Sequence, residues 1–130
     1  MLLIAILIMS SMAQVAAPTR QKTDEPPKLE LTDPADISDA RELQDALDAH
    51  TTPVIACTKS GRPLEACRCE HPRQLVGLRK AFDGLLSKHP DWKDHSLSFH
   101  YFTKEGRSIS SFMVLRNYEL EIVDRENKCR

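Results

Sequence analysis

The spacing of hydrophobic positions changes repeatedly along the chain, and each change predicts a different kind of segment. Leu2 to Met9 is an almost unbroken apolar run closed by Ser10, Ser11, Met12 and Ala13. That arrangement predicts a cleavable secretory signal over residues 1–13, with Ser11 and Ala13 as the small residues at the cut and Gln14 as the new terminus. The run is far shorter than the roughly 20 apolar residues that cross a hydrocarbon core, so no membrane span is expected. Residues 14–32 follow with Pro18, Pro26 and Pro27 among charges and few large apolar side chains. This composition predicts a flexible tether.

From Asp33 the spacing becomes helical. Ile37, Ala40, Leu43 and Leu47 recur every three or four positions, Asp33 offers an N-cap before Pro34, and Asp36 falls in the first turn; together they predict a helix over about 34–50. Thr51, Thr52 and Pro53 are expected to end it, because proline cannot donate to the helical ladder. A cysteine-bearing stretch follows, Val54 to Glu70, in which Ser60-Gly61-Arg62-Pro63 marks a turn or loop. Leu75, Leu78, Phe82, Leu85 and Leu86 then predict a second helix over about 72–89, opened by Pro72 and closed by Pro90. Gly77, Ala81 and Gly84 form a row of small residues beside that stripe and predict close approach of a neighbouring backbone.

The period next shifts to alternation. Leu97, Phe99 and Tyr101 alternate with Ser98 and His100, Thr103 to Gly106 suits a hairpin loop, and Ile109 to Leu115 is the expected return strand. Arg116-Asn117 and the alternation of Tyr118, Leu120 and Ile122 extend this to an antiparallel β-meander over about 96–123; a helix from Phe112 onwards is the competing reading. Helices followed by strands place residues 33–130 in a single small α+β domain.

Chemistry enters chiefly through four cysteines, Cys57, Cys67, Cys69 and Cys129. An even number in a small exported domain predicts disulfides. Cys67 and Cys69 are poor partners for one another, since a bridge across one residue closes a strained ring. The favoured pairing is Cys57–Cys67 with Cys69–Cys129, the swapped pairing remaining open. The alternative chemistry is a copper or zinc site, because Cys67, Cys69 and His71 occupy alternate positions and point the same way in an extended segment. Their spacing departs from the common zinc patterns.

Charge and catalysis add less. The net charge is −1 with 28% charged residues, a balance that argues against a nucleic-acid binder relying on phosphate neutralisation. Lys59 to Lys88 nevertheless holds seven Lys or Arg against Glu65, Glu70 and Asp83, which marks Arg73, Arg79 and Lys80 as candidate partner-binding residues. His50, His71, His89, His95 and His100 fall into no spacing that carries a known mechanism, and no catalytic activity or cofactor is expected. The expectation from sequence is a secreted or periplasmic, disulfide-braced binding module, monomeric or weakly oligomeric. A protein or envelope component would be its partner.

Overall fold

A computed structural model describes residues 24–130, and the expected signal segment lies outside them. Its elements are β1 (Lys28–Glu30), α1 (Pro34–Lys59), α2 (Leu64–Arg68), α3 (Pro72–Lys88), a 3-10 turn (Pro90–Trp92), β2 (Ser96–Phe102), β3 (Ser108–Val114) and α4 (Leu115–Lys128). The class is α+β. The helices cover one face of a three-stranded sheet, and the core between them is built from Leu43, Leu78, Phe82, Leu85, Leu97, Phe99, Met113, Leu115 and Ile122.

Helix α1 starts as its sequence predicts. The Asp33 side chain accepts a hydrogen bond from the Ala35 N–H at 2.7 Å, with Pro34 inside the first turn. It does not stop at Pro53, however; it runs on to Lys59. A proline inside a helix typically costs about 3 kcal/mol. Here the extra turns bury Val54 and bring Cys57 to its bridge with Cys67, and these tertiary gains offset the local penalty. The helix ends at Ser60, whose N–H returns to the last turn, and at Gly61, which has φ +92°. The expected turn at Ser60-Gly61-Arg62-Pro63 is present, between the end of α1 and the start of α2 at Leu64.

The sheet corrects the predicted meander. Its order is β1-β2-β3, β3 antiparallel to β2 but β1 parallel to it. The third strand comes from Lys28–Glu30, inside the stretch read as tether. It is held by Leu31 N–H to Ser98 carbonyl at 2.8 Å and Ser96 N–H to Pro27 carbonyl at 3.1 Å, and Leu31 is buried. Residues 115–128 form helix α4 instead of a strand. Leu115, Ile122 and Arg125 are its buried positions, and their spacing of seven and three residues is helical. Leu120, assigned to the inward face of a strand, is 63% exposed.

The glycine row is also corrected. A Cβ at Gly77 or Gly84 would meet nothing within 4 Å, so no backbone packs closely there. Both glycines then weaken α3 without compensation from packing. Each of Gly77→Ala and Gly84→Ala is expected to stabilise the fold by about 0.5–1 kcal/mol. Urea unfolding checks this; destabilisation by either would show that the helix surface is occupied.

Candidate functional site

Two disulfides converge on α2. Cys57 and Cys67 are bridged with their Cα atoms 5.6 Å apart, and Cys69 is bridged to Cys129 with Cα atoms 5.1 Å apart. The first ties α2 to the last turn of α1, and the second ties the entry to α3 to the end of α4. Between α3 and α4 they leave a groove of about 240 Å³, lined by Arg68, Cys69, Pro72, Leu75, Val76, Arg79, Glu126 and Cys129. Its floor is apolar: Leu75 is nearly buried, whereas Val76 is 68% exposed.

The arginines at its rim differ in how they are held. Arg79 Nε donates to Glu126 at 2.6 Å and its NH1 lies 3.6 Å from Asp83. The Glu126 carboxylate is the main cause of an upward shift in the already high Arg79 pKa, and the pairing fixes this guanidinium as a wall between α3 and α4. Arg68 is held loosely, 3.7 Å from Glu65 and 4.0 Å from Asp124. Pairs at such distances contribute little, so the half-buried Arg68 side chain has no close carboxylate partner among the described residues.

The structure separates the three basic residues singled out in the sequence. Arg79 faces α4. Arg73 and Lys80 are exposed on α3, seven residues apart and therefore on one side of it; Arg73 also lies one turn from Val76 and thus beside the groove. Lys80 lines a second depression with Asp39, Glu42 and Lys88. The metal set does not assemble: Cys67 and Cys69 belong to different disulfides, and among the described residues no group of three or more His, Cys, Asp or Glu is arranged to hold an ion. Sequence reasoning missed Arg68, Leu75, Val76 and Glu126 as one site. The available signal was Val76, an apolar residue off the buried stripe of its helix.

Two further polar clusters hold helices together. At the α1–α3 contact, Asp39 pairs with Lys88 Nζ at 2.7 Å and His89 Nε2 at 2.9 Å, while the His89 ring stacks on Trp92 with centroids 3.7 Å apart. Lys88 first, then His89, holds the Asp39 carboxyl below its ordinary range, and Asp39 in turn raises Lys88. Compared with protein-family models, with curated proteins and with solved structures, the chain matches none. In the other cluster, at the α1–α4 contact, Arg125 donates to His50 Nδ1 and to Glu121, with His50 fully buried. His50 Nδ1 must be an acceptor there, because a guanidinium can only donate. Both clusters brace helix contacts, although His50 Nε2 and Arg125 Nε are buried without a hydrogen-bond partner among the described residues.

Proposed function

We propose that this chain is an exported, non-catalytic binding module that takes a short acidic and apolar segment of a partner protein in the α3–α4 groove. The observation that carries the reading is Val76, an exposed aliphatic side chain beside a disulfide and between arginines. An apolar anchor entering the groove would cover Val76 and Leu75, and carboxylates beside it would meet Arg68 and Arg73. Desolvated aliphatic contact supplies the affinity in such an arrangement, and the charges supply orientation and rate. Two disulfides and the absence of any membrane-spanning helix among the described residues fit work in an oxidising compartment. The module needs no moving part for this role, since the Cys69–Cys129 bridge ties the two walls of the groove together before the partner arrives.

Selection from a displayed library of random peptides against the oxidised protein tests the proposal. The expected winners combine a large apolar residue with neighbouring Asp or Glu, bind more weakly as salt rises, and lose at least about tenfold in affinity, about 1.4 kcal/mol, to Val76→Asp. Lys104→Glu, in the hairpin turn, is expected to leave binding unchanged. Winners without acidic residues, or binding insensitive to Val76→Asp, would overturn it.

A further inference from the structure

The sheet has one long edge strand, β3, away from the groove. Backbone bonding around β2 fixes which groups of β3 are free. Ser96 N–H and Ser98 carbonyl bond towards β1, so the intervening Leu97, Phe99 and Tyr101 bond towards β3. The register sets Met113, Ser111 and Ile109 opposite them, and Thr103 N–H to Arg107 carbonyl at 2.9 Å continues the same ladder into the turn. The backbone N–H and C=O groups of Ser108, Ser110 and Phe112, with the N–H of Val114, therefore point away from the sheet. The strand order ends at β3, so no element of the described residues pairs with that edge.

The two edges of this sheet are built differently. The β1 edge has three residues, carries Lys28 and Glu30, and follows Pro26-Pro27, which are the features that discourage strand addition. The β3 edge has seven residues, Ser-Ile-Ser-Ser-Phe-Met-Val, with neither charge nor proline. On the sheet face away from the helices, Phe112 is 57% exposed and Phe102 is 73% exposed.

We infer that β3 is a homodimer interface in which two copies pair antiparallel about a two-fold axis through Ser111. That register sets Ser110 against Phe112 and Ser108 against Val114 of the second copy, so the outward N–H groups of Ser110, Phe112 and Val114 each meet an outward carbonyl. It also keeps Ile109, Ser111 and Met113 on the core face in both copies, as the two-residue period requires. Phe112 becomes the diagonal neighbour of its symmetry mate on the outer face, within reach for aromatic contact. The occupant is a second copy because the strand complements itself in hydrogen bonding and brings no like charges opposite each other. A seven-residue edge is well below the roughly 20 residues a side of a standard stable interface, so the pairing is reversible and depends on concentration.

Sedimentation equilibrium of the full oxidised chain, combined with amide hydrogen exchange at low and high protein concentration, tests this. The expected result is a monomer–dimer equilibrium in which Ser110, Phe112 and Val114 amides gain protection as concentration rises, while Ile109, Ser111 and Met113 amides are protected throughout. Phe112→Lys, at an exposed position, is expected to weaken the dimer at least tenfold with the circular dichroism spectrum unchanged. Ser110→Pro, which removes an outward N–H and leaves the β2 ladder intact, should do the same. A protein monomeric throughout, a dimer that protects other amides, or a β3 edge protected only by a heterologous strand peptide would overturn the inference.

Discussion

Replacing both Cys69 and Cys129 with serine is expected to lower the unfolding free energy by about 4 kcal/mol, the larger of the two disulfide losses. The bridge closes a loop of 60 residues, and in the chain-entropy picture a longer loop removes more freedom from the unfolded chain. The Cys57–Cys67 bridge spans 10 residues and its removal should cost about 3 kcal/mol by the same reasoning. Against a total of about 5–15 kcal/mol for a typical domain, either loss is a large share. The long bridge also has a local role. Helix α4 touches the core through Leu115 and Ile122, and its far end is held chiefly by Cys129, by Arg125 and by the Arg79–Glu126 pair. Urea unfolding of the two double-serine variants checks the order; a loss below about 1 kcal/mol for the Cys69/Cys129 variant would mean that α4 is held by its packing alone.

Arg125→Ala is expected to cost about 3 kcal/mol. It removes a guanidinium and its aliphatic stem at a residue that is 8% exposed, and leaves buried His50 without its donor. The same pair makes stability depend on pH. Burial first, then the Arg125 charge and that of His71 at the start of α3, holds His50 below its ordinary pKa of 6.5, while Glu121 and the Arg68 backbone carbonyl pull weakly upward. The folded state therefore binds this proton less readily than the unfolded chain. Stability is full above the unfolded value of about 6.5 and falls as pH drops from there through the lowered folded value, then levels off. Urea midpoints between pH 7.5 and 5 should decline in the wild type and lose most of that decline in His50→Gln; an equal slope in both would assign the effect to other groups.

What the sequence showed and what it concealed follow from the range of the interactions involved. The starts of α1 and α3 were legible because Asp33-Pro34 and Pro72 act on their own turns, and β2 with its return strand because alternation is a local pattern. The continuation of α1 through Pro53 was hidden, since the contacts that override the proline, Val54 burial and the Cys57–Cys67 bridge, are tertiary. Strand β1 was hidden for the same reason: Lys28–Glu30 is too short to show a period, and only pairing with Ser96–Ser98 makes it a strand. Over residues 118–122, alternation and helical spacing both fit, and the burial of Ile122 and Arg125 decides for the helix. The groove was partly legible. Arg79 stood out by charge, but Val76 acquires meaning only when α4 and the Cys69–Cys129 bridge are placed beside it.

The most direct test is to record amide chemical shifts of the oxidised protein while adding a short peptide that carries one leucine between aspartates. A groove braced by the long disulfide predicts shifts concentrated at Arg68, Cys69, Val76, Arg79 and Cys129, and their loss in the variant lacking Cys69 and Cys129. Shifts confined to β3, or a response identical with and without the bridge, would contradict it.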